Sequence, residues 1–189
     1  MTTIASRLRT PFANSLSTRL TLVGIVGFAA AVAAASQIAI PLPLTPVPIT
    51  LQPLLVILAG MWLGPVAGAS SMVLYLAAGA MGLPVFTPIG APGIARFLGP
   101  TGGYLIAYPA AAFVAGVLAS RATTFGARWL AATVGIAVIY FGGMAQLALL
   151  TGSVSRAVQM GIAPFALLDV AKAFIAAAIS GSRRRSALS

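Results

Sequence analysis

Residues 20–40 read LTLVGIVGFAAAVAAASQIAI, a run without a single charged side chain. A bilayer-spanning helix needs ~20 mostly apolar residues, so this run is long enough to span unaided and decides the class of fold. Further apolar runs follow at about 51–63, 66–81, 101–120, 129–150 and 163–179. Between the first two lies PLPLTPVPIT, Pro41 to Thr50, whose four prolines remove backbone donors and fix φ, so it is not helical. The second run is short for a span, which leaves its start open within that Pro-rich stretch. Residues 82–100, GLPVFTPIGAPGIARFLGP, form a second proline-rich loop. Pro109 lies inside the fourth run and predicts a kink there. The expected fold is an all-α integral membrane protein. It is a compact six-helix transmembrane bundle forming a single membrane domain over residues 1–189, with 1–19 as an N-terminal cytoplasmic segment and 180–189 as a basic cytoplasmic tail.

Composition agrees and excludes much chemistry. The chain has 189 residues, 60% apolar and 6% charged, where soluble domains carry ~25% charged residues; mean hydropathy is +1.05. Cysteine and histidine are absent, and one acidic residue occurs in the whole chain. Thiolate and imidazole metal sites, Cys or Ser-His nucleophiles, disulfides and paired-carboxylate catalysis therefore fall away. No catalytic residue, metal site or cofactor is expected. A residual enzyme would have Asp169 or Lys172 as its only titrating group.

The net charge of +10 does not point to nucleic acid, because the basic residues sit mostly at the ends of apolar runs. Six spans put both termini on one side. With that side cytoplasmic, it carries Arg7, Arg9, Arg19, Arg121, Arg128 and Arg183–Arg185, while Arg96 and Arg156 lie outside. The bias follows the positive-inside rule. The opening residues, ending in Ala33-Ala34-Ala35-Ser36, imitate a signal peptide, but the run is long enough to span and retention is expected.

Small residues line the first helix. Ala29/Ala33, Ala30/Ala34 and Ala31/Ala35 are each four apart. They form a smooth ridge where another helix approaches closely, either within the bundle or on a membrane partner. Gly60, Gly64 and Gly68 share that spacing.

The most informative stretch is Pro164–Lys172, PFALLDVAK. Asp169 and Lys172 are three apart and face one side of the last helix. Each costs ~2.5–3.5 kcal/mol near a helix centre on insertion scales, so intramembrane charge is a candidate site before it is a packing device. With the helix starting near Ala163, the pair lies in the outer half of the bilayer. An ionised Asp only accepts hydrogen bonds and Lys only donates. Together they suit a small molecule with N–H donors at one point and a carboxylate or carbonyl elsewhere. Arg96, in a loop on the same side, is a candidate grip on a carboxylate. Thr50, Gln52, Tyr104 and Tyr108 are polar groups near the outer ends of spans; of these Thr50, Gln52 and Tyr104 are taken as further candidate substrate contacts, and Trp62 and Trp129 are expected interfacial anchors.

Four blocks in this order carry a family resemblance: Pro46–Gln52 (PVPITLQ), Gly82–Phe86 (GLPVF), Gly99–Leu105 (GPTGGYL), and Pro164-Phe165 followed by Asp169 and Lys172. They resemble BioY, the biotin-specific S component of energy-coupling factor (ECF) vitamin transporters, over roughly residues 20–180. The resemblance implies a six-helix bundle with an extracytoplasmic biotin pocket closed partly by loops, in a bacterial inner membrane. It implies Asp169 and Lys172 as biotin contacts, with Arg96 at the position of a carboxylate-binding arginine. Biotin's ureido N–H groups suit Asp169; its carboxylate suits Lys172 or Arg96. The resemblance also implies that the Ala-x-x-x-Ala ridge docks on a transmembrane T component. No G-x-x-x-x-G-K-[ST] phosphate loop occurs, so concentrative uptake would need that component and two ATPase subunits. The alternatives are an S component for another vitamin, a self-sufficient carrier, or a non-transporting scaffold.

Overall fold

Helix breaks fall where the sequence removes backbone donors or supplies a cap. The computed structural model describes residues 11–186, with side chains from Thr18 to Gly181. Along the chain run α1 (Pro11–Gln37), β1 (Ile40–Leu42), β2 (Thr45–Ile49), α2 (Gln52–Leu63) and α3 (Pro65–Ala80). A 3₁₀ segment (Gly93–Leu98) then leads to α4 (Gly102–Arg121), α5 (Phe125–Thr151), α6 (Val154–Gly161) and α7 (Ala166–Ser186).

Several boundaries differ from expectation for visible reasons. The Pro-rich stretch is not helical, as expected, but its strands pair antiparallel, Ile40 opposite Ile49 and Leu42 opposite Thr45. The short second run therefore keeps its length, because α2 starts only at Gln52, with Pro53 in its first turn. Thr124 Oγ1 accepts from the Ala127 amide and caps α5, so that helix starts before Trp129. The last span does not enter as one helix near Ala163. Instead α6 forms first, capped by Ser153, and Pro164 falls in the turn before α7, the two helices meeting at a 56° bend. α7 also extends past Ile179 through much of the expected tail. α1 starts at Pro11, inside the expected N-terminal segment; Arg7 and Arg9 lie outside the described residues, and the side chains of Arg183–Arg185 are not described.

Among the described residues, α4, α5 and the Thr18–Gln37 part of α1 are each long and apolar enough to cross a membrane. The bent α6–α7 pair passes as a fourth, while α2 and α3 are shorter apolar helices. α4 runs continuously through Pro109 and is the most enclosed of the three long spans. It packs against α2, α3 and α5.

The core holds Val32, Val56, Ile57, Met72, Tyr75 and Leu147, all essentially without exposed surface. Leu20, Val23, Phe141 and Leu149 face outward, as lipid-bathed positions should. Small residues let backbones touch inside. A Cβ on Gly60 would overlap the Ala112 carbonyl oxygen, and one on Gly68 would lie only 2.6 Å from the Gly60 Cα. Gly60 and Gly68 thus serve internal packing between α2, α3 and α4. Forcing side-chain volume into such a contact costs ~1–3 kcal/mol or more.

Candidate functional site

One cavity of about 630 Å³, counted with its open mouth, lies at the end of the bundle covered by the β-hairpin and the 81–101 loop. Its lining brings together all six residues expected to meet a ligand: Thr50, Gln52, Arg96, Tyr104, Asp169 and Lys172.

The α7 pair is built by the helix start. Because α7 begins at Ala166, Asp169 falls in its first turn rather than two turns down, where the positive end of the helix dipole favours a carboxylate. Lys172 Nζ donates to Asp169 Oδ1 at 2.6 Å, and both residues are buried. Tyr140 of α5 donates its hydroxyl to Asp169 Oδ2 at 2.5 Å. Each carboxylate oxygen therefore holds one donor and retains capacity for a second.

Arg96 is built by a loop. Its Nη2 donates to the Thr87 carbonyl at 2.5 Å, and its Nη1 donates to Thr87 Oγ1 at 3.2 Å and to the Ile89 carbonyl. Gly90 makes this possible. Its φ is +104°, and a Cβ there would stand 2.6 Å from Arg96 Nη1. The guanidinium lies 6.0 Å from the Phe86 ring centre, within cation–π range. Arg96 is 5% exposed, and its buried Nε has no hydrogen-bond partner among the described residues. Burial pulls its pKa below the ordinary arginine value, because desolvation disfavours the charged form. No carboxylate meets it, since the only acidic residue in the chain is paired with Lys172. The cavity thus carries one uncompensated positive charge.

The other polar groups are fixed by protein partners. Gln52 Nε2 donates to the Tyr75 hydroxyl at 2.7 Å, and Thr50 Oγ1 donates to Gln52 Oε1 at 3.3 Å. Tyr104 donates to the Gly161 carbonyl at 2.9 Å, tying α4 to the end of α6. Val47, Ile49, Phe86, Tyr108, Ile139 and Phe165 supply apolar wall.

Sequence reasoning missed Tyr75 and Tyr140. A signal existed for Tyr140: a hydroxyl within an apolar run needs a buried acceptor, and the chain offers a single carboxylate. On α1 the ridge divides. Ala29 and Ala35 are buried and Ala31 and Ala33 half-buried, whereas Ala30 and Ala34 are exposed, with Gly27 beside them. Trp62 packs edge-on against Phe28, ring centres 5.9 Å apart, and Trp129 is exposed.

Residues 8–188 match the BioY family model. The chain belongs to the BioY family. It is 44% identical over 135 residues to a probable biotin transporter BioY from Pyrococcus horikoshii, covering 71% of this chain and 79% of that one. It is 37% identical over 141 residues to the biotin transporter BioY of Thermotoga maritima, covering 75% and 83%. A crystal structure of the S-component for biotin from an ECF-type ABC transporter superposes with a TM-score of 0.82 at 27% identity, covering 89% of this chain and 93% of that one. A BioY family chain with several apolar helices long enough to span is a multi-pass membrane protein.

Proposed function

We propose that this BioY family member is the substrate-binding S component of an ECF-type transporter and captures biotin from outside the cell. The observation that carries the reading is the buried, uncompensated charge of Arg96. With Asp169 and Lys172 neutralising each other, the cavity is complementary to a monoanion. Biotin's carboxylate completes Arg96. Its ureido N–H groups reach the second lone pairs of Asp169, and Lys172 donates to the ureido carbonyl. The thioether ring and alkyl chain lie along the aromatic and aliphatic walls.

The same reading takes α1, α2, α3, α4, α5 and α7 as six spans with both termini cytoplasmic in a bacterial inner membrane. Support comes from the connections: the hairpin and the 81–101 loop line the cavity and α6 is tied to its Tyr104 wall, leaving the turns at Gly64 and Ala122–Thr124 for the opposite end. Ala30 and Ala34 are the pair in the ridge left free for a T component. Two ATPase subunits supply energy that this chain, lacking a phosphate loop, does not. Tryptophan at Ala34 should then abolish co-purification with the T component and spare biotin binding.

Mass spectrometry of denatured, purified protein tests the ligand. About one biotin per chain is expected, retained against excess thiamine or riboflavin. Well-folded protein that neither carries nor binds biotin returns the chain to the scaffold reading; displacement by another vitamin makes it that vitamin's S component.

A further inference from the structure

Two adjacent side chains at the end of α1 hold a loop on which Arg96 depends. Ser36 Oγ donates to the Val85 carbonyl at 2.7 Å, and Gln37 Nε2 donates to the Pro84 and Phe86 carbonyls at 3.3 and 3.1 Å. Three consecutive carbonyls of a segment without helix or strand thus accept from two consecutive residues of another element. The same two side chains also reach the Ala33 carbonyl, and Gln37 Nε2 lies 2.7 Å from Ser36 Oγ, so one hydroxyl proton and two amide protons are shared among these acceptors.

Ser36 is fully buried, and its single hydroxyl proton lies between two carbonyls at 2.7 Å, those of Ala33 and Val85. Gln37 is exposed, so water could satisfy its amide. Its convergence on the loop instead fixes the loop. The last of these carbonyls belongs to Phe86, and the seat of the pocket's charge begins there. Phe86 packs edge-on against Tyr75 and Phe97, and Thr87 receives Arg96 through both its carbonyl and its hydroxyl.

We propose that Ser36 and Gln37 are positioning residues for Arg96. Holding the carbonyls of residues 84–86 sets Thr87, and Thr87 sets the guanidinium that receives the ligand's carboxylate. The inference rests on the biotin reading and adds a physical route to it. The helix that exposes Ala30 and Ala34 reaches the pocket's charge through one hydrogen-bonded chain.

The test compares biotin with biotin amide, which lacks the anionic end, on Ser36→Ala and Gln37→Met variants of the full chain. Met keeps about the size of Gln, removes the donors and adds no charge. Each variant is expected to weaken biotin about tenfold, the loss of one or two net hydrogen bonds, and biotin amide less than about threefold. Equal losses for the two ligands, or none for either, overturn the proposal, because a purely structural clamp does not distinguish the ligand's charge. If Ser36→Ala fails to fold, Gln37→Met, at an exposed position, carries the same comparison alone. A wild-type chain that binds neither ligand overturns the biotin reading itself, a result separate from either outcome in the variants.

Discussion

Asp169–Lys172 and Arg96 line the same cavity but carry their charge in opposite ways. The α7 pair is self-neutralised across one helical turn, further satisfied by Tyr140 and by the helix start. Arg96 is held by loop carbonyls and one hydroxyl, and among the described residues its Nε has no partner and its charge no counter-ion. The pair is complete without a ligand; the arginine is not. A buried ion pair is weak support for stability, and a buried unpaired charge is costly. The difference therefore separates a charge already met within the protein from one that is not.

The largest effect comes from breaking the pair. Asp169→Asn leaves Lys172 as a buried unpaired cation, a loss of ~3–5 kcal/mol for pairs of this kind. Purified Asp169→Asn should show no measurable biotin binding by calorimetry and a lower thermal midpoint. Replacing both members, Asp169→Leu with Lys172→Met, should restore the midpoint while binding stays absent. If the double variant is as unstable as the single one, the pair is structural and the comparison fails.

A smaller effect belongs to the pair's third member. Tyr140→Phe removes one hydrogen bond to a carboxylate, worth ~1.5–3 kcal/mol. Biotin binding should weaken about tenfold or somewhat more by equilibrium titration, with the fold intact. Unchanged affinity would place Tyr140 outside the ligand's reach. The smallest effect lies on the arginine's side. Gly90→Ala strains a left-handed φ and pushes on Nη1, and should weaken biotin by about fivefold, at the low end of the ~1–3 kcal/mol stored in such strain. A Gly90→Ala protein with native affinity would mean that the loop tolerates movement of Arg96.

The two regions also differ in how far they can be read from sequence. Asp169 and Lys172 are legible because one carboxylate in an apolar chain, three residues from the only lysine, has few other uses. Arg96 is legible by side and resemblance, but its lack of a counter-ion requires knowing where the carboxylate goes. The apolar runs give the long helices well. They do not give α6, since a short amphipathic turn of helix before Pro164 reads like a loop. Nor do they give the hairpin, whose alternating prolines hide strand pairing. The alanine ridge offers three equivalent registers, and only packing of α1 on its neighbours leaves Ala30 and Ala34 outside. The Ser36–Gln37 clamp joins residues nearly fifty positions apart, a distance over which no local pattern speaks.

The central claim is that the ligand's carboxylate completes Arg96. Titrating biotin and biotin amide into wild-type protein and Arg96→Gln tests it directly. The wild type should prefer biotin by about thirtyfold or more, the ~2–3 kcal/mol of a charge-assisted contact. Arg96→Gln should erase that preference while still binding the amide. A preference that survives in Arg96→Gln would contradict the account and assign the carboxylate to Lys172.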